Sequence, residues 1–391
     1  MPSDVVVIGL GAIGAATLYQ FARRGVRVIG IDRYAPPHDL GSSHGETRIT
    51  RLSVGEGEIY LPLVRRSHAI WRELERQSGV RLMQTTGGLI IGSSGTDAVH
   101  HGKTAFVART IALAERDGIA HELLSPDALM ARFPQFRLRG DEIGYFEPEA
   151  GMLFPEACVR VQLDAARVLG AEIRTDETAL GITEDDGGVR VRTSRATLRA
   201  ARCVVAAGPW IGKLLGGPVS EIARVYRQVL HWFAPSEPDA FAAGRMPVFI
   251  WMHGSGPADY LYGFPASEAD GGVKVATENY GHDTDPESVS RSVERVESDA
   301  MFETHLRGRF PGLSSRVLRA KACLYTVTPD SGFVVDNAPG MTRVLAVSAC
   351  SGHAFKHSAA LGEAIAQRVV DGNSEIALDA FRLDRLRTVV A

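Results

Sequence analysis

The apolar positions change period twice within the first 32 residues. Residues 5–8 are four consecutive β-branched side chains, the pattern of a strand buried on both faces. Gly9, Gly11 and Gly14 then open a stretch of helical period that runs to about Arg24, and Gly25 stops it. Residues 26–31 read as a second strand ending on Asp32, which completes a βαβ unit. Downstream, apolar residues at helical spacing predict helices over 58–77, 104–116, 154–169 and 358–370. A strand is predicted at 171–174. The run Thr183-Glu184-Asp185-Asp186-Gly187-Gly188, followed by the alternating Val189-Arg190-Val191-Arg192, predicts a hairpin. Residues 202–210 read as a buried strand running into a glycine turn. The middle of the chain, 226–275, reads as antiparallel sheet.

These elements predict an α/β protein in which a Rossmann-like dinucleotide-binding domain is interrupted by a mostly antiparallel substrate domain. The expected division places 1–88, 149–222 and 319–391 in the first domain, and 89–148 and 223–318 in the second.

The glycine spacing has a physical meaning. One glycine allows the tight turn, one lets backbone N–H groups approach a pyrophosphate, and one lets helix pack on strand. Asp32, about 20 residues on, is placed to accept hydrogen bonds from ribose hydroxyls. The motif alone leaves FAD and NAD equally open, and so permits an NAD-dependent dehydrogenase.

Composition narrows the field. The chain has 391 residues, 45% of them hydrophobic and 23% charged, with a formal charge of -3. Such a balance disfavours nucleic acid and anionic membrane as partners, since both need a basic surface. No uninterrupted apolar run reaches the ~18–20 residues of a membrane span, and Asp4 stands where a signal peptide has basic residues. Cys158, Cys203, Cys323 and Cys350 are too scattered for a disulfide framework or a zinc module. A cytoplasmic protein, monomer or homodimer, without a metal is expected. Arginine supplies nearly all the basic residues; the five lysines are Lys103, Lys213, Lys274, Lys321 and Lys356.

Five stretches, in order along the chain, carry a resemblance: DVVVIGLGAIGAAT, PPHDLGSSHGETRITR with GEGEIYLPL, LYGFPASEADGGVKV, CLYTVTPDSGFVVD and SGHAFKHSAALGEAIA. Together they resemble the monomeric sarcosine oxidase and N-methyltryptophan oxidase family of FAD-dependent amine oxidases, which has the DAO-type fold. The resemblance implies FAD held through Gly9, Gly11, Gly14, Asp32, Arg33, Ser42, Thr47, Gly352 and Lys356, with a covalent thioether to Cys323. Taken alone, Cys323 reads as a small buried hydrophobe.

The remaining roles also come from the resemblance. Arg51 and Lys356 are expected to clamp the substrate carboxylate, a task suited to a guanidinium fork. From spacing alone, Arg48 and Arg51 read only as a solvated helix face. Arg48 and His353 are expected beside the flavin ring, and Tyr262 and Tyr325 as walls of the substrate cavity. Lys274 is expected to promote the reaction with oxygen, because a fixed cation stabilises the superoxide anion formed first. Glu278 is a departure, since sarcosine and N-methyltryptophan members carry histidine there. A carboxylate at that place favours a cationic amine and opposes its deprotonation.

The implied activity is oxidation of a secondary, N-methylated amino acid at its C–N bond to an imine, with oxygen reduced to hydrogen peroxide. Oxidation of a cyclic imino acid (pipecolate or proline) or a larger specialised amine is the enzymatic alternative. A non-catalytic dinucleotide-binding protein is the alternative of another class.

Overall fold

The computed structural model describes residues 3–93, 100–101, 103–256 and 258–386. The opening βαβ unit forms as the periodicity requires: strand Ser3–Ile8, helix Ala12–Arg23, strand Val28–Ile31. Both strands run parallel, pairing Val5 with Val28 and Ile8 with Ile31. Glu172–Arg174 extends the parallel sheet beyond Val28–Ile31. On the other side Ser3–Ile8 pairs in parallel with Thr197–Val205. The far edge of Thr197–Val205 is shared. Its first half pairs antiparallel with Gly188–Thr193, and its second half pairs parallel with Val344–Ser348. The chain therefore returns to the first sheet near its end, as expected of an interrupted domain.

Helix Ala12–Arg23 is buried along almost its whole length because helices Pro155–Val168 and Ser358–Asp371 pack against it. Two glycines permit the close approaches. A Cβ at Gly14 would lie 1.7 Å from the Gly9 carbonyl oxygen, and one at Gly362 would lie 2.6 Å from the Ala16 backbone. The hairpin turns at Asp186-Gly187, between Ala179–Asp185 and Gly188–Thr193.

Among the described residues the second sheet has eight strands. In order they are Leu313–Val327, Arg224–Pro235, Val273–Ala276, Tyr260–Ala266, Val248–Met252, Gly88–Ser93, Glu142–Glu147 and Glu122–Leu124. Every pairing is antiparallel except Val248–Met252 with Gly88–Ser93. Its two longest strands, paired from Arg224–Val327 to Pro235–Leu313, run across the molecule. Cys323 and Tyr325 both lie on Leu313–Val327, opposite Gln228 and Tyr226. A small third sheet joins Arg48–Thr50, Gly151–Leu153 and Met83–Thr85. Arg48 and Arg51 thus belong to a strand and the residue after it, and Arg51 is buried. The helix-face reading fails here because the strand pairs with Gly151–Leu153, where a Cβ on Gly151 would strike the Gln84 carbonyl oxygen at 2.0 Å.

Candidate active site

Two connected hollows lie where the sheets meet. The larger, about 380 Å³, is a groove along the carboxyl ends of the parallel strands, the usual place for a ligand in such a sheet. Gly9, Gly11, Asp32, Arg33, Ser42, Arg48, Tyr325, Cys350 and Gly352 line it. The smaller, about 60 Å³, is walled by Arg51, Glu56, His100, His101, Tyr260, Tyr262, Glu278, His353 and Lys356. Arg48, Tyr325, Gly352 and Phe355 border both.

The groove fits an extended dinucleotide. Helix Ala12–Arg23 opens on it with Gly11, which has no side chain, at its N-cap; Ser43 Oγ accepts from the Ala12 N–H at 3.0 Å, and the N–H groups that follow are left for a phosphate. Gly9 holds φ at +85°, and a Cβ there would meet the Ala206 carbonyl oxygen at 2.5 Å. Asp32 is fixed before any ligand arrives: its Oδ2 accepts from the Leu10 N–H at 2.6 Å and its Oδ1 from the Tyr34 N–H at 2.8 Å. Arg33 is paired with Glu287 at 2.5 Å and lies over Trp210.

Arg48 donates to the carbonyls of Thr47 and Ser42 at 2.8 and 2.9 Å, and its Nη2 lies 3.9 Å from Cys323 Sγ. Burial raises the pKa of the Cys323 thiol, and the Arg48 charge opposes that rise. Cys323 sits behind Ser42 and Arg48, while Cys350 lines the groove itself. Lys274 is buried and lines neither hollow. Its Nζ donates to the Gly45 and Thr47 carbonyls at 2.8 and 2.7 Å and lies 3.9 Å from the Phe264 ring centre. Burial, with Arg48 nearby, holds its pKa well below the usual lysine value. The Gly45–Thr47 segment that it binds runs between Ser43 and Arg48, which line the groove.

The smaller cavity gathers eight expected residues: Arg48, Arg51, Tyr262, Glu278, Tyr325, Gly352, His353 and Lys356. Between Arg51 and Lys356 lies a carboxylate from the chain itself. Glu56 accepts from Arg51 Nη2 at 2.8 Å, and its other oxygen is 3.5 Å from Lys356 Nζ. Burial disfavours the Glu56 charge, but the two cations outweigh it and hold the carboxyl well below the usual range. Burial lowers Lys356 to about 8, and Glu56 offsets part of that fall. The loop after Arg51 is pinned by Glu147, which accepts from the Leu52 and Ser53 N–H groups. Tyr262 and Tyr325 share a hydroxyl–hydroxyl bond of 3.0 Å. His353 is hydrogen-bonded through Nε2 to the Ser331 carbonyl at 2.9 Å and is pushed well below the usual histidine value by burial and by His101. It therefore donates that bond as a neutral ring, and its Nδ1 has no partner among the described residues.

Glu56, His100, His101 and Tyr260 are site residues that sequence reasoning missed. Glu56 lies within a stretch that carried the resemblance; His100 and His101 sit in a segment with no periodic signal. The latter two enter on a tight turn in which His100 and Lys103 exchange backbone hydrogen bonds of 2.9 Å. His101 Nε2 lies 3.1 Å from Glu278 Oε1. A histidine is thus restored to the neighbourhood of Glu278 from a distant part of the chain. Gly352 makes room for the pair: its φ is +79°, and a Cβ there would meet Glu278 Oε1 at 2.7 Å and His101 Nε2 at 2.9 Å.

The family model described as FAD dependent oxidoreductase (DAO) matches residues 4–368. The monomeric sarcosine oxidase of Streptomyces avermitilis is 34% identical over 395 residues, covering 99% of each chain. The N-methyl-L-tryptophan oxidase of Salmonella newport is 32% identical over 387 residues, covering 98% of this chain and 99% of the relative. Among solved structures, the open form of NikD, an unusual amino acid oxidase essential for nikkomycin biosynthesis, matches with a TM-score of 0.83. It is 25% identical and covers 97% of each chain. The family match selects FAD where the glycine motif left NAD open. No helix among the described residues is long and apolar enough to cross a membrane. A dinucleotide groove at the ends of a parallel sheet, joined to a second, antiparallel sheet by a polar cavity, and a family match spanning nearly the whole length agree: this chain belongs to the DAO family of FAD-dependent oxidoreductases.

Proposed function

We propose that the protein oxidises secondary, N-methylated amino acids at the C–N bond and passes the electrons to oxygen, forming hydrogen peroxide. The observation that carries this reading is the carboxylate seated between Arg51 and Lys356. A carboxylate held by these two cations supports the reading that the pair can take an acid ligand. In this reading the substrate carboxylate takes that place, and Glu56 yields at least one of its two cations.

FAD, when bound, supplies the two-electron acceptor for the C–N bond and returns those electrons to oxygen. The chain's own residues bind, orient and exclude water. Arg51 and Lys356 fix one end of the substrate, and Tyr262 and Tyr325 wall the other. Gly9, Gly11, Gly14, Asp32, Arg33, Ser42, Thr47 and Gly352 are proposed to hold the cofactor, with a thioether at Cys323. Arg48 places a fixed positive charge beside it. Lys274 is proposed to set the electrostatics for oxygen, acting across the Gly45–Thr47 carbonyls that it binds.

The test is an anaerobic screen of N-methyl and cyclic amino acids, following loss of the flavin absorbance. Bleaching by an N-methyl amino acid supports the reading. Bleaching only by cyclic amino acids would move the substrate class, and bleaching by none would overturn it.

A further inference from the structure

Oxidation of an ammonium substrate at its C–N bond requires that the nitrogen first lose a proton, and the cavity that holds it is buried. Arg51 and Lys356 are cationic donors, and Glu56 is held by both of them. His353 and His100 are each pushed well below the usual histidine value by burial and by His101. None of these is a good acceptor for the proton.

His101 differs. Its side chain is 4% exposed, and its Nδ1 has no hydrogen-bond partner among the described residues, the nearest acid oxygen being Glu56 Oε1 at 3.6 Å. Its Nε2 is 3.1 Å from Glu278 Oε1. The other oxygen of Glu278 accepts from the Tyr280 hydroxyl at 2.8 Å. Tyr280 packs edge-on against Tyr226, and 38% of its surface is open to solvent. A run of exchangeable groups thus leads from the cavity to Tyr280, a residue that solvent reaches.

We propose that His101 accepts the proton released by the substrate ammonium, and that Glu278 and Tyr280 carry it to solvent. The assignment rests on the amino-acid oxidase reading above. The ammonium N–H bond breaks, and its electron pair stays on the amine nitrogen. Nδ1 of His101 takes the proton while Nε2 gives its own to Glu278. The carboxyl of Glu278 then turns to Tyr280, whose hydroxyl accepts a proton as it releases one to water. One proton enters and one leaves, with no change of oxidation state.

The surroundings set the pH at which this works. His101 faces Glu278 and Glu56, with the His100 and His353 rings at 3.8 and 4.9 Å; Arg51 and Lys356 lie behind Glu56. Burial works against charging the ring, but the two carboxylates outweigh it and raise His101 to about 9. The accepting, neutral form therefore appears as pH rises through that value, close to the ionisation of a secondary ammonium. Glu278, which as a bare carboxylate would oppose deprotonation of the amine, is here partnered by a histidine that takes the proton.

The experiment has two readouts on the holoenzyme. In 13C-histidine NMR, the His101 signal, identified by its loss in H101Q, should titrate near pH 9 and fall by at least one unit in E278Q. In anaerobic reduction of the flavin by sarcosine, the rate should rise through the same pH and shift with E278Q. It should lose that limb in H101Q, drop at least tenfold in H101A, and recover in part with added imidazole. Y280F, which lacks only the hydroxyl, should slow reduction at least threefold, and a normal flavin spectrum in each variant establishes folding. A limb at one pH in wild type, E278Q and H101Q would overturn the relay, because the substrate's own ionisation then explains it. Absence of bleaching by every amine in wild type would sink the oxidase reading and the relay with it; bleaching with an unmoved limb would sink the relay alone.

Discussion

Replacing Glu56 by glutamine should weaken the protein and strengthen its hold on a carboxylate ligand. The two effects have one cause. Glu56 lies 2.8 Å from Arg51 and 3.5 Å from Lys356, with side chains 3%, 3% and 6% exposed. At an effective dielectric constant of about 20, unit charges at these distances attract by about 6 and about 5 kcal/mol. Desolvation of the three ions offsets much of this, so the net loss on removing one partner is set by the two cations left behind. It should be about 3–5 kcal/mol. E56Q keeps the shape and removes the charge, so denaturant unfolding at pH 7 should show that loss. A carboxylate such as acetate no longer competes with an internal one. Its affinity, followed by the perturbed flavin spectrum, should rise at least tenfold, which corresponds to about 1.4 kcal/mol. E56Q as stable as wild type and no better at binding acetate would refute the coupling of Arg51, Glu56 and Lys356.

Other outcomes follow from the same geometry. Cys323→Ala should release the flavin into the supernatant on acid precipitation, while Cys350→Ala should leave the pellet yellow; the reverse result would move the attachment to the cysteine that lines the groove. Lys274→Met should slow reoxidation by oxygen at least tenfold more than anaerobic reduction, whereas equal slowing of both would make Lys274 a structural tether for Gly45 and Thr47. The folded His101 pKa of about 9 lies above its ordinary 6.5. Its contribution to stability is complete below pH 6.5 and is lost as pH rises through about 9. Lowered histidines such as His100 and His353 change stability in the opposite sense over the same interval, so the His101 contribution is read as a difference: between pH 6.5 and pH 8 wild type should lose about 2 kcal/mol relative to H101Q, as urea unfolding of both proteins at the two pH values will show. Lys356, lowered to about 8, has the opposite sign and acts mainly above that interval.

The βαβ unit was legible because its signals are local. Four β-branched residues, three glycines at fixed spacing and an acid all lie within 32 positions, and each acts on its sequence neighbours. The second sheet was legible in kind but not in order, because pairings such as Gln228 with Cys323 span nearly a hundred residues. Arg48 and Arg51 show where spacing misleads. Three residues apart suits a helix face, but Glu147 and the Gly151–Leu153 strand, both remote in sequence, make the segment a buried edge. Glu278 could be seen as a departure, yet what it does depends on His101, 177 residues away. No periodicity marks His100 and His101, since they enter the site on a turn rather than on a helix or strand. Glu56 was passed over for another reason: a charged residue in a glycine-rich run reads as exposed, and only the fold supplies its two cations.

The most direct test of the central claim is the product balance with sarcosine in air. The account predicts formaldehyde and hydrogen peroxide in equal amounts, one of each per molecule of substrate consumed, by a protein that is yellow when purified. Consumption of no substrate and formation of neither product, with sarcosine and the other N-methyl amino acids alike, would contradict it.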